Sequence, residues 1–332
     1  MRQNRQTVAG VIVAMLEAEG VDRAYGVSGE SYLPLLDELG RSSIDVVTCR
    51  HEGGAGLMAV ADSRLTGKLS VCTVSRGPGS ANAALAMVTA AEDAVPFLLL
   101  VGQVPRAHLR RGAFQEIDYS KFFAGTAKWN AEITTPESAP GIMAQAIAAA
   151  CAATPGPVVV ALPEDVLEEV VDTAIPPTFA RPPVPPSLEA LTEIARRLAA
   201  AKKPLLIAGG ELTYGDARAQ LRNAAEAWNI PVLGAFRRFD LLPTAHPLFA
   251  GELGFFTTDA QKAAYAESDL ILAVGTRLGD LTTFGYTFPG PQQTLIHVNR
   301  DAAQLGRNFT PAVTAACDAG LFLDQLAGNL RA

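Results

Sequence analysis

Val46-Val47-Thr48-Cys49-Arg50-His51-Glu52-Gly53-Gly54-Ala55-Gly56 passes from a buried-type strand into a glycine-rich helix start, with one carboxylate at the junction. A β-branched run followed by a turn and a helix is one unit of a doubly wound sheet. The carboxyl ends of such strands are where α/β proteins bind ligands. Glu52 therefore stands where chemistry is expected. It also stands at a helix N-terminus, where the helix dipole alone favours an acid, so the segment by itself leaves solvated cap and catalyst both open.

The same strand-to-helix pattern extends in both directions. Leu69-Ser70-Val71-Cys72-Thr73-Val74-Ser75 opens into Arg76-Gly77-Pro78-Gly79-Ser80-Ala81-Asn82, and an earlier strand closes in Tyr25-Gly26-Val27-Ser28-Gly29. Pro96-Phe97-Leu98-Leu99-Leu100-Val101 ends in Gly102-Gln103-Val104-Pro105, ahead of Gly112-Ala113-Phe114-Gln115-Glu116-Ile117-Asp118. The spacing predicts helices near 7–19, 31–39, 53–66, 79–92 and 137–152, and strands near 23–27, 45–49, 69–75, 96–102, 127–132 and 157–162. Near-continuous Val/Leu strands between helices mean a parallel sheet covered on both faces.

Pro176-Pro177 and Pro182-Pro183-Val184-Pro185-Pro186 exclude helix and central strand, which predicts an extended surface linker. Beyond it, helices at 188–201, 216–228 and 258–266 alternate with strands at 204–208, 231–234, 269–275 and 294–299. The expected fold is α/β with two doubly wound parallel-sheet domains, 1–170 and a smaller 188–332, joined by a proline-rich linker at 171–187. Gly209-Gly210 and Gly275-Thr276-Arg277-Leu278-Gly279 fall short of the G-x-G-x-x-G fingerprint, and tight turns explain these glycines as well as a ligand does.

Composition narrows the class. The 332 residues are 49% hydrophobic and 18% charged, which describes a compact protein with a core in each domain and argues against disorder. A net charge of −7 without a Lys/Arg run provides no nucleic-acid or anionic-membrane footprint. The uncharged stretch 139–163 is broken by Pro155-Gly156-Pro157 into an alanine-rich helix and a strand, so no membrane span is expected. Met1-Arg2-Gln3-Asn4-Arg5-Gln6 carries no apolar signal region, which makes a cytoplasmic location the expectation. Cys49, Cys72, Cys151 and Cys317 lack ligand spacing and read as reduced small hydrophobes.

The order and spacing of the four turns, with the closing Pro155-Gly156-Pro157-Val158-Val159-Val160-Ala161-Leu162-Pro163-Glu164-Asp165-Val166, resemble the N-terminal part of thiamine-diphosphate-dependent enzymes. The resemblance is to the acetolactate synthase and 2-keto acid decarboxylase superfamily. It covers nearly the whole chain and implies a pyrimidine-binding domain followed by a Rossmann-like central domain. The activity it implies is decarboxylation of a 2-keto acid, with or without carboligation. Thiamine diphosphate supplies the carbon nucleophile and electron sink for that chemistry, and the protein supplies orientation and a dry site.

By resemblance, Glu52 is the carboxyl group that hydrogen-bonds the aminopyrimidine nitrogen. One carboxyl suffices for that, because an apolar setting raises a carboxyl pKa and lets it share a proton with the ring. Gly77, Pro78, Gly79 and Asn82, with Gly26, Val27 and Ser28, are implied to lie against the pyrimidine, and Phe114 and Gln115 at the substrate end. Gln115 read without the resemblance is a loop residue capping a short helix near 116–122. His51 is read as a structural neighbour, since adjacent residues do not share a face. Ser28 stands where the turn usually has proline and Arg76 where many relatives have a small hydroxyl residue, and both departures bear on substrate preference.

Relatives hold the diphosphate through Mg²⁺, with oxygen ligands from a third domain that carries Gly-Asp-Gly and a downstream asparagine. Gly279-Asp280-Leu281 and Asn299 do not form that pattern, so no metal ligand is assigned to this chain. The expectation is a half-site that activates the cofactor, with the C-terminal diphosphate and Mg²⁺ domain absent and the isolated chain inactive. The alternative is a non-catalytic assembly module needing a separate chain for that domain. FAD is not expected: Phe122-Phe123-Ala124-Gly125 lacks the arginine, and Gly254-Phe255-Phe256-Thr257-Thr258 lacks the Gly-Met-His-Gly, of flavin-binding relatives. The expected partners are a 2-keto acid substrate and further copies in a homo-oligomer, at least a dimer, covering an apolar face.

Overall fold

The computed structural model describes residues 5–172 and 174–328. The expectations that touch residues 1–4, Thr173 and 329–332, at the chain ends and inside the linker, lie outside the described residues. The chain forms two compact units, Met1–Arg181 and Pro182–Ala332.

The first unit runs β1 (Arg5–Thr7), α1 (Val8–Ala18), β2 (Arg23–Gly26), α2 (Leu33–Arg41), β3 (Asp45–Thr48), α3 (Glu52–Thr66), β4 (Ser70–Val74) and α4 (Gly77–Asp93). It continues with β5 (Phe97–Gln103), α5 (Tyr119–Phe122), β6 (Trp129–Glu132), α6 (Ala139–Cys151), β7 (Pro157–Pro163), α7 (Glu164–Leu167) and β8 (Val170–Asp172). Strands β1 and β8 pair antiparallel; the other six form a sheet in the order β3-β2-β4-β5-β7-β6, every pairing parallel.

Alternation along the strands explains the two apolar faces. Leu98, Leu100, Val158 and Val160 turn to a core shared with α1, α2 and α6. Phe97, Leu99, Val101, Val159 and Ala161 turn to the opposite core, shared with α3 and α4. The uncharged stretch divides into α6 and β7, and among the described residues no helix is long and apolar enough to cross a membrane. All four cysteines are free thiols.

The chain goes from β2 outward to β3 and then back across β2 to β4, so the winding reverses between β2 and β4. At such a reversal the flanking loops diverge and a crevice opens above the carboxyl ends. Gly26 ends β2 opposite Thr73, and a Cβ on Gly26 would lie 2.3 Å from Thr73 Oγ1. Only glycine lets the two strands close to this distance.

The second unit contains α8 (Leu188–Ala200), β9 (Pro204–Ala208), α9 (Ala217–Trp228), β10 (Val232–Gly234), β11 (Phe249–Glu252), α10 (Asp259–Ala266), β12 (Leu270–Val274), β13 (Thr294–Val298), β14 (Val313–Ala315) and α11 (Ala319–Gly328). Its six strands are all parallel, in the order β11-β10-β9-β12-β13-β14. Numbered from β9 that is 3-2-1-4-5-6, the order of dinucleotide-binding sheets. The sequence pattern did not show β11 or β14, since strands of four and three residues are too short to display a period, and the ten-residue α11 was missed as well. Residues 174–187 carry no helix or strand; Phe179 packs on the first unit's α1/α6 core and Val184 on the second unit's core.

The winding of the second sheet reverses between β9 and β12, where a Cβ on Gly209 would lie 2.1 Å from the Gly275 carbonyl oxygen. Both sides of this contact are backbone, so neither gives way. Gly209→Ala is expected to destabilise the second unit by about 1–3 kcal/mol, the usual range for overpacking. Hydrogen exchange should show faster opening of β9 and β12 with β4 and β5 unchanged. A variant as protected at Leu206 and Leu272 as the parent would contradict the assignment.

Candidate active site

Three loops meet above the reversal in the first sheet, following β2, β3 and β4. After β3 the chain is extended at His51 (φ −156°, ψ 135°), and His51 Nδ1 accepts from the Gly53 amide at 3.0 Å. His51 is therefore the cap of α3, and Glu52 is relieved of that duty. Glu52 turns instead to α4, where the Asn82 side-chain amide donates to its Oε2 at 2.9 Å. Its other oxygen lies toward Gly79, where an added Cβ would sit 3.4 Å from Oε1. The pair thus fixes one carboxylate oxygen and presents the other beside a glycine turn.

That turn is anchored from its far side. The Gly77 amide donates to the Gln115 carbonyl at 3.0 Å, and a Cβ on Gly77 would come within 2.8 Å of the same oxygen. Pro78 occupies the first turn of α4, where its missing N–H has no helical partner to lose. Gln115 has a left-handed backbone (φ 62°), and the cap of α5 is Asp118, which accepts from the Lys121 amide. The capping reading of Gln115 is thereby removed. Glu116 accepts the Arg110 and Ala113 amides, and these backbone donors hold its carboxyl below the usual range. Phe114 is 75% exposed.

The loop after β2 closes the remaining side. Tyr32 donates to the Val27 carbonyl, and burial pushes its hydroxyl up to about 12. Ser31 and Ser75 hydroxyls bridge this loop to the one after β4 at 3.1 Å, while Ser28 stays exposed. The fold therefore joins Glu52, Gly79 and Asn82 directly, ties Gly77 and Pro78 to Gln115, and seats Gly26 and Val27 against β4 and Tyr32. Phe114 and Ser28 stand outside these contacts.

Two charged groups stand at this edge: Arg76, which the sequence marked only as a departure from relatives, and Glu132, which the sequence reading missed. Arg76 is buried and pairs with Glu30 and Glu164. Glu132, at the end of β6, is half-buried and accepts from Gln103 Nε2 at 3.3 Å. Burial raises its carboxyl pKa, and the Gln103 hydrogen bond offsets this only in part. The one available signal was parity: Glu132 aligns with Ala161, which faces the α3/α4 core. Among the described residues, no group of three or more His, Cys, Asp or Glu side chains could hold a metal ion.

Residues 6–122 match the thiamine pyrophosphate enzyme N-terminal TPP binding domain, and residues 191–326 the thiamine pyrophosphate enzyme central domain. The chain is similar to an acetolactate synthase of Mycobacterium bovis, 33% identical across 98% of this chain and 53% of that protein. It is likewise 33% identical to the acetolactate synthase isozyme 1 large subunit of Escherichia coli K12, across 98% of this chain and 58% of that protein. A probable acetolactate synthase large subunit of Methanocaldococcus jannaschii is 32% identical, across 97% of this chain and 56% of that protein. The chain spans about half the length of these relatives.

The raised pKa of Glu132 has a stability consequence of fixed sign. A carboxyl that binds its proton more tightly in the folded state stabilises the fold below the unfolded pKa, and the contribution is lost as pH rises through the folded value. Glu132→Gln removes the titration. Relative to the parent, the variant should gain in urea midpoint between about pH 4, near the unfolded glutamate pKa, and about pH 7. A constant difference across that range would show that Glu132 does not titrate in this way.

Proposed function

The chain belongs to the thiamine pyrophosphate enzymes, and we propose that its first unit is the pyrimidine-activating half-site of an acetolactate synthase-like enzyme acting on 2-keto acids. The observation that carries this reading is the Glu52 carboxylate, held through Oε2 by Asn82 and open at Oε1 beside Gly79. Bound thiamine diphosphate would supply the carbon nucleophile and the electron sink for decarboxylation and carboligation.

The residues fit the pyrimidine end of that cofactor. Glu52 Oε1 would donate a proton to, or share it with, a ring nitrogen, and Asn82 would keep the carboxyl group in one orientation. Gly77 and Gly79 leave the turn without side chains, so an aromatic ring reaches the backbone, and Pro78 stiffens it. Gln115, bonded through its carbonyl to Gly77, stands at the substrate end. In this reading the diphosphate and its Mg²⁺ are held by residues outside the Glu52 site, in a further segment or a separate chain.

The same reading calls for a second copy. Leu57, Met58 and Leu65 on α3 are exposed together with Leu85 and Val88 on α4, Leu65 to 85% and Leu85 to 59%. Asn82 lies one helical turn before Leu85 on this face, so a protomer seated there would also shut water out of the Glu52 pair. Leu65→Glu with Leu85→Glu should shift sedimentation at micromolar concentration from dimer or larger toward monomer. A parent protein that is already monomeric would remove this part of the proposal.

Glu52→Gln should slow exchange of the thiamine diphosphate C2 proton for deuterium, in the assembled enzyme, by at least about a hundredfold, the lower range for general acid–base help. The amide has the shape of the acid but does not share a proton. Gln115→Ala, by contrast, should leave C2 exchange within about twofold and change product partition, because positioning at the substrate end is separate from proton transfer at the pyrimidine. Unchanged C2 exchange in Glu52→Gln would reduce Glu52 to a helix-start residue and end the reading.

A further inference from the structure

Arg76 is at odds with its position. It is the residue that precedes α4, where the helix dipole disfavours a cation and a small hydroxyl or acidic residue would cap the free amides. Its side chain makes no capping bond and is only 10% exposed. The guanidinium is spent elsewhere. Nη1 donates to Glu30 Oε1 at 3.1 Å and Nη2 to Glu164 Oε2 at 2.5 Å, while the buried Nε has no hydrogen-bond partner among the described residues. A residue that breaks local preference and leaves a donor unmet is retained for something other than the stability of its own helix.

The partners say what that is. Glu30 follows the loop after β2, Arg76 the end of β4, and Glu164 the end of β7, so the fork joins three loops that no backbone ladder connects at that level. Glu30 is 72% exposed, so its half of the bridge is screened; Glu164 is less exposed and closer, and carries more of the tie. Arg76 is immediately followed by Gly77, whose amide is bonded to Gln115, and the Arg76 carbonyl accepts the Ser80 amide at 3.0 Å. A shift at Arg76 is thus a shift of the whole first turn of α4, which carries Gly79 and leads to Asn82.

We propose that Arg76 is a positioning residue: an ionic clamp to Glu30 and Glu164 that fixes the Gly77-Pro78-Gly79 turn, and with it Asn82, against Glu52. Its bearing on catalysis rests on the thiamine reading; its effect on the loops does not. Lysine would keep the charge but lacks the planar fork that reaches both acids at once.

The test is amide hydrogen exchange of the 332-residue chain at Gly77 and Ser80, with Leu99 in β5 as internal control. Arg76→Met and Glu164→Gln should each speed exchange at Gly77 and Ser80 by at least about fivefold with Leu99 unchanged, the pattern of a local opening. Arg76→Lys should fall between these and the parent. The Asn82 side-chain amide resonance should move in the same variants, which a clamp confined to the loops would not cause. If Arg76→Met does not fold, Glu164→Gln decides alone, since it leaves Arg76 paired with Glu30. A smaller response at Gly77 and Ser80, an equal response at Leu99, or an unmoved Asn82 resonance overturns the proposal. Unchanged C2 exchange in Glu52→Gln would instead bring down the thiamine reading and leave the clamp standing.

Discussion

The site depends on how closely α3 and α4 approach. A Cβ on Gly56 would lie 2.4 Å from the Ala86 Cβ, and one on Gly53 would lie 3.1 Å from the Asn82 carbonyl oxygen. Side chains at the contact set the distance between packed helices, and here there are almost none. At ordinary spacing the short Asn82 side chain would not span from α4 to the Glu52 carboxylate. Gly53 and Gly56 are thus packing residues first, while a Cβ on Gly54 would meet open space, and the hydrogen bond between Asn82 and Glu52 follows from the two that pack.

The same closeness has an outward consequence. Two helices whose inner stripes are glycine and alanine bury each other with little apolar surface and leave Leu57, Met58, Leu85 and Val88 on the outside. Apolar area of that kind on both helices is what an interface uses, and its burial contributes roughly 25 cal/mol per Å². Small residues inward and large residues outward invert the usual amphipathic helix. The inversion makes sense where the fold core lies on the sheet side and a second apolar layer covers the other.

The alternation of strands and helices was legible in the sequence because buried parallel strands are runs such as Phe97-Leu98-Leu99-Leu100-Val101, whose ends are marked by glycine or proline. The turns of the candidate site were legible for the same reason, since Gly77, Gly79 and Gly26 mark backbone that must come close to something. What they come close to was not legible. Arg76 meets Glu164 across 88 residues and Gln103 meets Glu132 across 29, and neither separation leaves a periodic trace. The role of His51 as the cap of α3 has a different reason for being hidden: histidine is an uncommon N-cap, and adjacency to Glu52 gives no sign that its imidazole accepts from the Gly53 amide.

Both sheets have a winding reversal with backbone packed too tightly for any side chain, yet the two reversals differ in where their polar groups end. In the second unit the Glu211 carboxylate accepts the Arg300 amide at 3.1 Å, and Thr276 receives the side chains of His297 and Asn299 at its carbonyl. Burial lowers the His297 pKa, with the Thr276 carbonyl opposing the shift. These groups are committed to holding the turn. In the first unit the Glu52 carboxylate has one oxygen committed and one open, at the mouth of a glycine turn. A carboxylate kept half-satisfied on a rigid frame is the arrangement that acid–base work requires, because the protein fixes its direction without saturating it. Sheet topology alone would make the two reversals equivalent; the disposition of their hydrogen bonds is what supports placing the proposed chemistry at the first.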